Sequence, residues 1–173
     1  MNASKTLPQT KKIAYTALFI AFGVVLPYFS AHAFGLQGTV LLPMHIPVLV
    51  CGLVCGVKYG LLCGALAPLL SSLITGMPVA YPMLPIMIVE LSIYGIATGL
   101  LHGKFKLHLY IALPVAMVLG RVGYAIMFAI LNALTPGIRA LTVFAALATG
   151  LPGICIQLIL VPAVVNLLQK TCR

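Results

Sequence analysis

Glu90 is the only acidic residue in a chain of 173, and it stands inside the apolar run IMIVELSIYGIATGLL. A charged side chain in hydrocarbon costs about 2.5–3.5 kcal/mol on insertion scales, so it faces a partner, a cavity or a ligand. Arg121, in VLGRVGYAIMF, is the one base inside an apolar run of similar length. Two chemistries fit this couple. It is an ion pair that makes two costly groups tolerable, or it is a ligand site. In the second case the guanidinium takes an anionic or carbonyl group and the carboxylate takes donors. The two are not exclusive.

Other polar side chains surround the same theme. His45, in PMHIP, either caps a bent helix start or contacts a ligand. Gln157 and Asn132 supply amides, and Tyr81, Tyr94 and Tyr124 supply polar tips on apolar bodies. Met87, with Met44, Met77 and Met83, suits an adaptable apolar wall or ordinary core packing. The expected substrate-binding set is Glu90, Arg121, His45, Tyr94, Tyr124, Asn132, Gln157 and Met87.

Several machineries are missing from the sequence. There is no GxxxxGKS or GxxxxGKT loop for ATP, no HExxH and no GxSxG. One acid cannot form the carboxylate relay of a proton-coupled carrier. Ser71 and Ser72 stand side by side with no base assigned to them. Cys51 and Cys55 lie four apart, but no second Cys or His pair has zinc spacing. The cysteines read as small apolar packing residues. The expectation is a binding protein with no catalysis, no cofactor and no metal.

The elements that must position these residues are apolar helices. The chain is 62% apolar and 6% charged, with a mean hydropathy of +1.19. A soluble domain carries about 25% charged residues, so this is an all-α integral membrane domain. Six spans are expected over residues 13–31, 40–56, 59–75, 82–101, 109–131 and 142–168. Lys58 marks a tight turn between the second and third. Pro43, Pro47, Pro82 and Pro85 fall at helix starts, where a missing amide costs least. Pro27 bends or ends the first span. The polar, basic start of the chain does not read as a cleavable signal.

Charge sets the orientation. With a cytoplasmic N-terminus, Lys5, Lys11, Lys12, Lys58, Lys104, Lys106, Lys170 and Arg173 lie inside and only Arg139 lies outside. Positive-inside asymmetry of this size, with both tails basic, predicts an even span number and two cytoplasmic termini. The Gly- and Pro-marked loops 32–39, 76–81 and 132–141 then gather on the outer face. Irregular backbone is tolerated there because it lines a cavity or meets water. A pocket opening outward follows, with loop 32–39 as its lid. Glu90 lies about eight residues in from the outer end of its span and Arg121 about ten, so at about 1.5 Å per residue they share a depth.

Small residues recur at close-packing intervals. Ala14, Ala17 and Ala21 form one stripe, and Gly52, Gly56, Gly60 and Gly64 form another. Such patterns let helices approach closely. For the glycines, packing within the chain is the preferred reading.

The stretches PMHIPVLVCGLVCGVKYGLLCGALAPLLSSLITGMP and PMLPIMIVELSIYGIATGLL resemble the substrate-binding S component of energy-coupling factor transporters. These are multi-pass proteins of the bacterial or archaeal cell membrane that import vitamins and related micronutrients. The resemblance implies six helices with both termini cytoplasmic and a substrate near the outer face. It implies docking on a transmembrane T component through helix one, where Ala17 and Ala21 match the AxxxA pattern and Ala14 extends it. It also implies two cytoplasmic ATPases as partners. Pantothenate, pyridoxine-like or pyrimidine compounds, folate, cobalamin and a queuosine precursor all stand as substrates. Arg121 favours a ligand with a carboxylate or several carbonyls. The alternative function is a self-sufficient secondary carrier or channel for an organic solute.

Overall fold

The computed structural model describes residues 8–34, 42–134 and 150–171. Six helices occupy them: α1 (Gln9–Phe34), α2 (His45–Cys55), α3 (Val57–Thr75), α4 (Met83–Thr98), α5 (Leu109–Leu134) and α6 (Leu151–Thr171). α4 runs on through the π-helical segment Gly99–Lys104. Among the described residues there is no strand. Residues 35–39 of the expected lid, 135–141 of the third outer loop and 142–149 of the expected sixth span lie outside the described residues. So do Lys5, Arg139 and Arg173.

Among the described residues, four stretches are long and apolar enough to cross a membrane: Gln9–Phe29, Val57–Thr75, Met83–Lys104 and Leu109–Leu134. The apolar parts of the other two helices, His45–Cys55 and Pro152–Leu168, are shorter. α2 has 11 residues, against about 20 for a full crossing. It begins at His45, whereas the second span is expected from Val40; residues 40 and 41 lie outside the described residues. Leu42 has a positive φ of 48°, and Pro43 follows it in the turn before the helix. Pro47 then sits in the first turn, where no amide is needed. Pro27 does not end α1, which contains it and continues to Phe34.

The expected turn at Lys58 lies two residues earlier. Gly56 has φ 92° and ψ −178°, a conformation open to glycine and strained for any residue with a Cβ. Its amide closes α2 on the Gly52 carbonyl at 3.1 Å, and its own carbonyl opens α3 by accepting from Gly60 at 2.9 Å. Lys58 is exposed in the first turn of α3.

α2 is the centre of the bundle and packs on α1, α3, α4 and α6. Val48, Leu49, Val50 and Cys51 are all buried. Four consecutive buried positions point all around a helix, so α2 is enclosed on every side. α4 packs on α2, α3 and α5. Glycine makes that packing close. A Cβ at Gly60 would strike the backbone of Gly95, and one at Gly64 would strike the backbone of Leu91. The α3 and α4 backbones therefore touch, and the glycine stripe is spent within the chain, as the sequence reading preferred. On the opposite flank of α4, Gly120 of α5 lies against the Tyr94 ring and Gly123 against the tip of Ile93. These contacts fix the rotation of α4, and with it the direction in which Glu90 points.

Candidate functional site

Three helices bring polar side chains to one carboxylate oxygen. Glu90 and Tyr94 lie four apart on α4, hence on one face, and the Tyr94 hydroxyl donates to Glu90 Oε1 at 3.1 Å. From α5, Arg121 Nη1 approaches the same oxygen at 3.1 Å. From the first residue of α2, His45 Nε2 stands 3.6 Å away from it. That separation is too long for a hydrogen bond, although the imidazole lies edge-on to the Tyr94 ring at 5.3 Å between centroids. His45, Glu90 and Tyr94 are each only 1% exposed. The shared depth of Glu90 and Arg121, legible along the helix axes, is realised as an ion pair.

The cluster has polar atoms to spare. Arg121 Nε and Nη2 and both ring nitrogens of His45 are buried and have no hydrogen-bond partner among the described residues. His45 thus does not cap α2, whose start has no side-chain cap. A buried polar group without a partner costs about 1–3 kcal/mol, and more when charged. The native state tolerates several here in one place, and such a group calls for an explanation.

The remaining expected residues spread around this centre. Met87 precedes Glu90 by one turn and is half-buried against the main core. Tyr124 follows Arg121 by one turn and packs with Ile86, Phe128 and Leu131 in a second buried cluster. Gln157 is buried but is committed elsewhere: its amide donates to the Leu42 carbonyl at 3.3 Å. It ties α6 to the left-handed residue before α2. Asn132 is half-buried in the last turn of α5, about 16 Å along the axis from Arg121, and so lies outside the Glu90 cluster. Ala14, Ala17 and Ala21 are exposed on α1.

Two arrangements went unread in the sequence. The hydroxyls of Ser71 and Ser72 hold the turn after α3, donating to the carbonyls of Met77 at 2.7 Å and Pro78 at 2.8 Å. Their signal is Ser-Ser one turn ahead of a Gly-Met-Pro helix stop, where side-chain donors serve the departing backbone. The second is Gly120, whose lack of a Cβ admits the Tyr94 ring beside Arg121. Its signal is a glycine adjoining the only base in a span. The thiols show no such convergence on a ligand set. Cys51 donates to Thr16 Oγ1 at 3.7 Å and to the Tyr59 carbonyl at 3.5 Å, and among the described residues no three His, Cys, Asp or Glu side chains could hold a metal.

No curated protein and no solved structure matches the chain. The family model of the ECF transporter substrate-specific component matches residues 11–165. That match covers most of the chain, including all three helices that meet at Glu90. A helical membrane protein with a buried, under-satisfied polar centre thus belongs to the family of substrate-specific components of ECF transporters.

Proposed function

We propose that this chain captures a vitamin or related micronutrient at the Glu90–Arg121–His45–Tyr94 cluster and delivers it through a T component driven by two ATPases. The observation that carries this reading is the set of buried, unpaired nitrogens of Arg121 and His45 around a single carboxylate. A purely structural ion pair gains nothing from them, whereas a substrate with acceptors would pair them. The chain binds and orients its substrate and performs no chemistry on it. Six crossings, with both termini cytoplasmic and the pocket facing outward, fit the distribution of bases. α2 then crosses as a short helix completed by the turn before it, and it is shielded from lipid by its neighbours. The alanine stripe is available for close approach by a partner helix. Met87 and Tyr124, each one turn from the ion pair, are proposed to border the bound substrate; Gln157 and Asn132 are proposed contacts of a ligand that extends beyond the Glu90 cluster.

Reconstitution in liposomes tests this. The chain alone should bind the small molecule that co-purifies with it but should not accumulate it. Accumulation should require the T component, the ATPases and ATP. Uptake by the chain alone, driven by an ion gradient, would establish the carrier instead.

A further inference from the structure

The way Arg121 is engaged points to the chemical class of the substrate. A guanidinium has five N–H donors in a planar fork. Glu90 approaches Nη1, and the edge formed by Nε and Nη2 has no partner among the described residues. That edge carries two parallel N–H groups, the geometry that grips a planar pair of oxygens in bidentate fashion. We infer that the substrate carries a carboxylate that docks side-on against Nε and Nη2 of Arg121, with His45 as a further donor. This rests on the reading that the cluster is the substrate site.

Competing groups fit less well. A lone carbonyl has one oxygen and would leave half of the fork unmatched. A phosphate or other dianion needs more positive charge than the site holds. Glu90 already balances Arg121, and among the described residues the lysines Lys11, Lys58, Lys104, Lys106 and Lys170 are exposed while Lys12 is half-buried in the first turn of α1. His45, buried and with neither ring nitrogen hydrogen-bonded, is the one further group in the cluster that could donate an N–H to a single carboxylate. The packing next to the cluster is apolar. Ile86 and Met87 lie one turn from Glu90, and Tyr124 lies one turn from Arg121. The body of the ligand is correspondingly apolar or weakly polar. A single carboxyl group on such a body is the committed class.

The test uses the purified full chain and matched probes: nicotinate with nicotinamide, lipoate with lipoamide, and pantothenate with pantothenol. At least one acid should raise the thermal midpoint while its neutral partner does not. Arg121→Lys keeps a cation for Glu90 but removes the fork, so it should bind that acid about tenfold to a hundredfold more weakly. In parallel, small molecules released from the purified wild-type chain are methyl-esterified and weighed by mass spectrometry. The released ligand should gain one ester. A panel in which no acid outperforms its neutral partner overturns the assignment, and so does a released ligand that takes no ester. If that neutral ligand is nevertheless imported by the complete ATP-driven complex, the transport reading stands and only the carboxylate falls. If the chain imports it unaided, the transport reading falls as well.

Discussion

The outward face of α1 and the meeting of α2, α4 and α5 are built from opposite materials. On α1, the large apolar residues Ile13, Leu18, Phe22, Val25 and Phe29 are exposed, and the small residues Ala14, Ala17 and Ala21 are exposed between them. In the interior, Glu90, His45, Gln157, Thr98 and Ser71 are buried, and glycines press backbone against backbone. A soluble protein arranges these the other way. Lipid is as apolar as a leucine core, so burial of hydrocarbon does not separate inside from outside here. What separates them is that polar groups must find partners and that small residues let helices close on each other. The interior is thus specified by a few polar and small positions, and the exterior by bulk. Substitutions should therefore hurt in proportion to what they do to partnership or clearance, and not to the hydrophobicity they change.

The sharpest break is at the ion pair. Glu90→Gln and Arg121→Met should each lower stability by about 3–5 kcal/mol, because each leaves the other group buried without its partner. The double mutant should lose less than the sum, since the two share one contact. Thermal or denaturant unfolding of all four forms measures this. Additive losses would show that the 3.1 Å contact carries no coupling.

Clearance comes next. Gly95→Val inserts side-chain atoms where α3 backbone already stands, and overpacking of this kind costs about 1–3 kcal/mol. Gly103→Val adds the same atoms into open space and should leave the unfolding midpoint unchanged. Equal behaviour of the two variants would mean that backbone proximity does not hold this bundle together.

A smaller effect is expected at the turn after α3. Ser71→Ala removes the donor to the Met77 carbonyl and should cost about 1 kcal/mol. Limited proteolysis should then cut faster between residues 76 and 82 while the bulk of the chain stays protected. Uniformly faster cleavage would move the effect from the turn to the whole fold.

The smallest change in stability belongs to α1. Ala17→Leu and Ala21→Leu add bulk to an exposed face, so the isolated chain should stay within about 0.5 kcal/mol of wild type. Its assembly with the T component should nevertheless fail if that face is the docking surface. Normal co-purification of both variants would assign the face to lipid. This separation of fold from partnership is the strongest contrast with the interior, where the two cannot be varied independently.

Much of this was legible in the chain itself. Composition alone dictates a helical membrane protein, because 62% apolar and 6% charged residues leave no material for a soluble surface. Positions along a helix axis were legible too. A rise of about 1.5 Å per residue turns a residue count into a depth, which is why Glu90 and Arg121 could be matched. Helix ends governed by proline and glycine were readable to within a few residues, although Gly56 rather than Lys58 makes the turn. The angle around each axis was not legible, because it is set by which neighbours pack on which face. Only the tertiary structure decided that Arg121 offers Glu90 Nη1 and keeps its fork free, that His45 joins the cluster without capping α2, and that Gln157 serves the Leu42 carbonyl instead. Depth is a property of one helix, and azimuth is a property of the bundle. The candidate site depends on both.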